Sequence, residues 1–191
     1  MSDELDWPLV ESQGGEDLIL FRARYDLRRH PLTREVMRRI VLDSVDWVNV
    51  VAIDRDGRLV MIRQFRFGVG YTTLEIPGGM VDAGETPLDA ARRELREETG
   101  YAGGTWESLG AVEPNPAFHN HLCHQYLARD VERAGDQDLS GGEAIRVELM
   151  SPAAVGAAVR GGEIRHVLVL SALSRVFDLW PRPFGQPADV E

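Results

Sequence analysis

The chain has 191 residues, 43% of them hydrophobic, which is enough for one compact core and too few to make two independent domains the default. Acidic residues outnumber basic ones by 31 to 21, and the formal charge of -10 disfavours nonspecific attraction to long nucleic acids; a small anionic ligand would need added cations. The single cysteine, Cys123, excludes an intramolecular disulfide, and with no apolar run of membrane length and no basic, apolar leader, the expectation is a soluble cytoplasmic protein.

The polar start through Gly15 and the proline-containing end, 181–191, read as loose. Leu18 to Tyr25 and Met37 to Val41 read as strands of a small N-terminal β domain covering 1–45. From Trp47 a Val- and Ile-rich run to Ile53, the Asp56-Gly57 turn and a second apolar run from Arg58 to Phe65 predict a β-hairpin. Leu74 to Pro77 leads, extended, into Gly78-Gly79, where a tight backbone conformation is expected.

A helix follows. Thr86 suits the N-cap, Pro87 the first helical position, Asp89 completes a capping pair and Gly100 stands where a C-terminal cap belongs. Strands are expected at Trp106 to Val112, His121 to Ala128 and Ile145 to Met150, then a short helix capped by Ser151 and a last helix from about His166 to Leu179. The main domain therefore spans 46–180. His119, His121 and His124 invite a zinc site, but strand alternation would put His121 and His124 on opposite faces and the usual zinc spacings are missing.

Chemistry concentrates on the first helix. Glu94, Glu97 and Glu98 stand at i, i+3 and i+4, so three carboxylates share one face, while Leu88, Ala91 and Leu95 have the spacing of a packed side. Taken alone, three glutamates are most simply a solvated acidic face. A hard divalent cation, Mg²⁺ or Mn²⁺, is the other natural counter-charge, because it takes carboxylate oxygens and keeps positions for water and phosphate.

The surrounding residues decide between these readings. Gly79, Glu85, Arg93, Glu94, Leu95, Glu97, Glu98 and Gly100 reproduce the spacing of the Nudix box, with Tyr101 in place of its usual final aliphatic, so the chain resembles the Nudix hydrolases. That resemblance implies an α/β fold, an α/β/α sandwich, here with the small N-terminal β domain attached. It implies metal on Glu94 and Glu98, joined by Glu97 and the backbone carbonyl of Gly78, with Arg93 orienting a carboxylate, Glu85. The runs Trp47 to Ala52, Val60 to Arg66 and Leu74 to Gly79 are similar to the ADP-ribose and nucleoside-diphosphate-sugar pyrophosphatase branch, which also carries a proline where Pro116 stands.

This branch implies an acidic residue on a later loop, here Glu143 in Asp138 to Val147, although Gly141 occupies a position where the branch often has a second acid. The general base stays open among Glu143, Glu97 and a hydroxide on the metal. Arg63 and Arg66 are permanent cations in an acidic chain and are the candidate diphosphate contacts. The implied reaction is metal-dependent hydrolysis of a nucleoside diphosphate sugar to a nucleoside monophosphate and a sugar phosphate, by a homodimer with exchanged N-terminal domains. Other nucleotides (a nucleoside triphosphate, a dinucleoside polyphosphate or coenzyme A) are the rival substrates. A noncatalytic ADP-ribose sensor is the rival class, against which the complete set of box glutamates argues.

Overall fold

The computed structural model describes residues 4–139 and 142–180; the tail expected at 181–191 and the position of Gly141 lie outside them. The chain divides into two compact units, one formed by residues up to Asp46 with Glu113–Leu122, the other by Trp47–Val112 with the chain from Cys123 onward. Among the described residues no helix is long and apolar enough to cross a membrane.

The first unit is a three-stranded antiparallel sheet of β1 (Leu9–Asp17), β2 (Arg22–Arg29) and β3 (Val36–Asp43) in that order. Strand β1 falls where a loose start was expected: all its residues are exposed, so it carries no apolar alternation and is defined only by its ladder to β2. Strand β2 starts later than the apolar pattern suggested. The Asp17 carboxylate accepts the Ile19 N–H at 2.9 Å, Ile19 has φ 72°, and Leu18 to Phe21 closes as a turn instead of extending. Between β2 and its neighbours, Asp26 is fully buried and accepts from Ser12 Oγ at 2.6 Å and Arg28 at 2.8 Å. Residues Glu113–Leu122, Pro116 included, join this unit: Leu42 N–H donates to the Phe118 carbonyl at 2.7 Å, and Phe21 stacks on His119.

The second unit is built on an eight-stranded sheet whose central path runs β11 (Ile145–Met150), β5 (Leu59–Arg66), β4 (Trp47–Asp54), β10 (Cys123–Arg133) and β8 (Tyr101–Ala102). Strand β6 (Tyr71–Glu75) pairs with β5, β7 (Gly78–Met80) with β4, and β9 (Thr105–Val112) with β10. The β4–β5 hairpin forms, with Gly57 at φ 76°, but its strands share only the Ile53–Leu59 register before separating to take β7 and β6 as partners.

Alternation on the central strands buries both sheet faces. Val48, Val50, Ala52 and Val60 pack with Ala90, Ala91 and Leu95 of α1 (Pro87–Thr99), whereas Val51, Leu59 and Met61 pack with residues of α2 (Pro152–Arg160) and α3 (Val167–Ser174). This unit is thus the α/β/α sandwich expected. Helix α3 is shorter than the sequence suggested, because Arg175 and Val176 N–H close onto carbonyls three residues back and tighten the last turn.

Candidate active site

Helix α1 begins and ends where its sequence says. Thr86 accepts the Asp89 N–H at 3.2 Å, Pro87 opens the helix, and Gly100 at φ 74° returns its N–H to the Arg96 carbonyl. Ala90, Ala91 and Leu95 are fully buried and Tyr101 is 9% exposed in the same cluster, so the tyrosine fills the bulky apolar position that ends the motif. Leu88 is only half-buried; Ala90 takes the place in the core expected for it.

The glycines at the start of the motif do not supply a left-handed turn. Gly78 and Gly79 are extended in β7, and what they provide is room. A Cβ on Gly78 would stand 2.2 Å from the Val48 carbonyl oxygen, and one on Gly79 would stand 2.3 Å from a Glu94 carboxylate oxygen. The Gly78 N–H donates to Glu98 Oε2 at 2.8 Å. The two glycines therefore let the β7 backbone come against two of the helix carboxylates at once.

Arg93 organises the rest. Its guanidinium donates to both oxygens of Glu85 (3.1 and 3.0 Å), to the Met80 carbonyl (2.9 Å), to Glu94 Oε1 (2.9 Å) and to Glu97 Oε2 (3.1 Å). The Glu85 bond is the main reason the Arg93 pKa is raised and that of Glu85 lowered. Arg93 is a brace between the loop and the helix, and its charge is shared among four carboxylates, those of Glu85, Glu94, Glu97 and, at 3.8 Å, Asp82.

Glu98 is buried, 3% exposed, and its pKa is pushed up to about 8, first by burial and then by Glu94 and Glu143, against the pull of the Gly78 N–H and Arg66. Glu94 is raised by burial and by Glu97 and Glu143, against the opposing pull of Arg93. The loop bearing Glu143 is fastened to the helix end: Gln137 Nε2 donates to the Glu98 carbonyl at 2.5 Å and to the Ile145 carbonyl at 3.1 Å, and Asp138 N–H donates to the Glu97 carbonyl at 2.9 Å. Glu94, Glu97, Glu98, Glu85, Arg93, Gly78 and Glu143 are thus brought together. Glu143 is exposed and is felt electrostatically by Glu94, Glu98 and Arg66.

The two candidate phosphate contacts separate. Arg63 donates to Glu148 at 2.7 Å and Glu163 at 2.6 Å, and those are the charges that act on it. Arg66 instead feels Glu98 and Glu143, and it is bound through two parallel bonds to Glu75, at 2.8 and 2.7 Å. Glu75 and its further partner His166 (3.1 Å) carry no role in the sequence reading; the one signal was a carboxylate inside the apolar run Leu74-Glu75-Ile76. A cavity of about 640 Å³, lined by residues including Arg92, Arg96, Trp106 and Asp138, meets this cluster only through Arg93 and Glu97.

Among the described residues no three carboxylate, histidine or cysteine side chains form a ready-made ion cage. The donor set is the buried carboxylate of Glu98 beside the half-buried one of Glu94, with acidic neighbours, and a divalent cation would remove their mutual repulsion. Of the cations beside it, Arg93 divides its charge among Glu85, Glu94, Glu97 and Asp82, and Arg66 is held by Glu75. Such a pair fits a hydrated hard ion that keeps most of its own water.

A family model described as the NUDIX domain matches residues 45–170. The chain belongs to the Nudix family. Nudix hydrolases generally require divalent metal ions, in keeping with that donor set. An ADP-ribose pyrophosphatase of Mycobacterium tuberculosis is 30% identical over 190 residues, spanning 98% of this chain and 91% of the relative. One of Bacillus subtilis is 37% identical over 94 residues, 49% of this chain and 51% of its own. A mouse ADP-sugar pyrophosphatase is 42% identical over 66 residues, 35% of this chain and 30% of its own. A crystal structure of an ADP compounds hydrolase matches with a TM-score of 0.78 at 19% identity over 92% of this chain and 95% of that one, a likeness of fold.

Proposed function

We infer that this Nudix protein hydrolyses the diphosphate of ADP-ribose or a related nucleoside diphosphate sugar. One observation carries the substrate class: similarity to the mycobacterial ADP-ribose pyrophosphatase runs through 98% of the chain, the N-terminal unit included, and so extends well beyond the helix that defines the family. Charge agrees with it. A nucleotide sugar brings about two negative charges and a triphosphate three to four, and a chain of net charge -10 has few cations to spare.

Glu94 and Glu98, with Glu97 and the Gly78 carbonyl, would hold Mg²⁺ or Mn²⁺, which withdraws charge from the phosphoryl oxygens and makes nearby water more acidic. The protein's own part is to fix these donors and manage a proton. Arg93 and Glu85 brace the helix against the loop, holding Glu94 and Glu97 on one guanidinium nitrogen. Arg66 opposes the charge of the diphosphate. Water oxygen bonds to one phosphorus as the bond from that phosphorus to the bridging oxygen breaks. The water's proton passes to Glu143 or Glu97, and a nucleoside monophosphate and a sugar phosphate leave.

The working form is a cytoplasmic homodimer with exchanged N-terminal units. Large apolar side chains standing exposed in that unit, Leu9, Val10, Leu18, Leu20, Val36 and Ile40, support it. The test is a panel of ADP-ribose, other sugar nucleotides and nucleoside triphosphates assayed side by side with Mg²⁺ and with Mn²⁺ in ¹⁸O-water, with light scattering of the same sample. The expected result is a far higher kcat/KM for a nucleotide sugar, label in one phosphate product, and twice the chain mass of 21.3 kDa. A preference for a triphosphate, or unlabelled phosphate products, would sink the substrate assignment.

A further inference from the structure

Glu75 is a buried carboxylate that the hydrolytic scheme does not use. Its side chain is 2% exposed at the end of β6, between Leu74 and Ile76, which are both fully packed. Both of its oxygens are occupied: Oε1 accepts from Arg66 Nε (2.8 Å) and Thr73 Oγ (2.5 Å), Oε2 from Arg66 Nη2 (2.7 Å) and His166 Nδ1 (3.1 Å). A carboxylate so enclosed and so saturated is placed neither to hold a hydrated ion nor to take a proton from water. What it does is fix the groups that donate to it.

Two of those donors reach outward. The side chain of Arg66 is 41% exposed and that of His166 35%, and Arg66 Nη2 and His166 Nδ1 meet on the same oxygen. Arg66 is the cation that feels Glu98 and Glu143, so the imidazole shares an oxygen of Glu75 with the guanidinium whose charge acts on the acidic cluster. His166 is the N-cap residue of α3, yet its side chain makes no cap bond. No described residue is hydrogen-bonded to its Nε2. Neutralising Glu75 requires no histidine, because Arg66 alone already covers both oxygens. The ring's second nitrogen is the part of this network that Glu75 does not explain.

We propose that His166 is a phosphate-contacting residue, with Nε2 and the outer N–H groups of Arg66 gripping the substrate diphosphate together, and with Glu75 as the positioning residue for both. The proposal rests on the diphosphate-hydrolase reading. In its protonated form the ring donates from both nitrogens, to Glu75 behind and to a phosphate oxygen in front. Because Nδ1 is committed to Glu75, the ring cannot turn away, and a grip already in place costs little ordering on binding. Arg66 is held in the same way, with its planar fork anchored on one edge and open on the other.

Two substitutions of His166 separate this role from a merely structural one. In Asn the amide nitrogen takes roughly the place of Nδ1, keeping the donor to Glu75 and losing the outer one; in Gln it lies nearer the place of Nε2 and does the reverse. Steady-state kinetics on the full-length protein should give His166→Asn a KM for ADP-ribose raised about tenfold, equivalent to about 1.4 kcal/mol, with kcat within about threefold of the parent. His166→Gln should raise KM less. Both variants at the parental KM, or Gln the worse of the two, overturns the proposal.

The second measurement does not depend on the substrate assignment. The side-chain ¹⁵N resonances of His166, assigned by their loss in His166→Asn, are followed while inorganic pyrophosphate is added to the full-length protein. A progressive shift of Nε2 supports the contact even if no nucleotide sugar is cleaved, in which case the substrate reading alone has failed. A resonance unmoved to the end of the titration overturns the contact whatever the enzyme hydrolyses.

Discussion

Two buried glutamates of the same sandwich, Glu75 on β6 and Glu98 on α1, are 1% and 3% exposed, and their acidities move in opposite directions. Burial is the largest influence on both and pushes both upward. At Glu75, the donors Arg66, His166 and Thr73 together outweigh it and hold the carboxyl far below its usual range. At Glu98 one backbone N–H, from Gly78, and a more distant Arg66 work against burial and the charges of Glu94 and Glu143, and the value rises to about 8. Burial alone therefore says nothing about function. The informative quantity is burial left uncompensated by the protein's own donors, since that is where an external cation is favoured.

The largest consequence concerns turnover. If Glu98 and Glu94 are the carboxylates left for a cation, replacing either by Gln keeps shape and removes charge, and kcat should fall about a thousandfold, roughly 4 kcal/mol of transition-state stabilisation, with circular dichroism unchanged. Near-normal turnover of Glu98→Gln at saturating metal would remove this helix from the mechanism and leave the comparison without chemical meaning.

Stability should separate the same pair by sign. Measured by urea unfolding in chelator at neutral pH, Glu75→Gln should lose about 3 kcal/mol, because the enclosed amide has one acceptor oxygen for the donors of Arg66, His166 and Thr73 and turns its own NH2 group toward them. Glu98→Gln should gain stability, up to roughly 3 kcal/mol, because the folded state no longer has to keep that carboxyl protonated. The pH windows differ as well. With its value raised from 4.5 to about 8, Glu98 keeps a proton in the folded state that the unfolded chain releases, so stability falls as pH rises between these values and levels off above. The lowered Glu75 contributes stability that is present above pH 4.5 and lost as pH falls toward its folded value. A common sign for the two variants at neutral pH would show that burial, and not its compensation, governs both sites.

The comparison also marks how far the sequence could be read. Helix α1 was legible to the residue because its signals are local: a Thr cap, a Pro at the first position, a Gly at the end and carboxylates at helical spacing all lie within fifteen residues. Strand β1 was not, since it buries nothing and exists by pairing with β2. The box residues carried the acidic cluster, and the glycines were expected to hold a tight backbone without side chains, but what makes it tight, the approach of Glu94 and of the β4 backbone, is not local to them. Glu75 and His166 went unassigned because their meaning is non-local. They are 91 residues apart, and only the β5–β6 register and the start of α3 bring them to one oxygen. Arg63 and Arg66 looked alike for the same reason, until Glu148 and Glu163 claimed the first and Glu75 the second.

The smallest effect tests whether the donors at Glu75 are counted correctly. Thr73 Oγ lies 2.5 Å from Glu75 Oε1 and 3.2 Å from the Gln64 carbonyl; it has one proton, and the shorter contact to the charged oxygen takes it. Thr73→Val keeps the branched shape that suits a strand and deletes that donor, leaving Arg66 and His166 in place. A hydrogen bond to a charged group sets the scale, so the variant should lose about 1.5 kcal/mol, half the cost of Glu75→Gln. Joining the two substitutions should cost little more than Glu75→Gln alone, because the hydroxyl's value depends on the charge it serves. Full additivity in that double-mutant cycle would mean the hydroxyl acts elsewhere. A neutral Thr73→Val would mean that Arg66 and His166 suffice, and the contrast with Glu98 would then rest on those two partners and not on the hydroxyl.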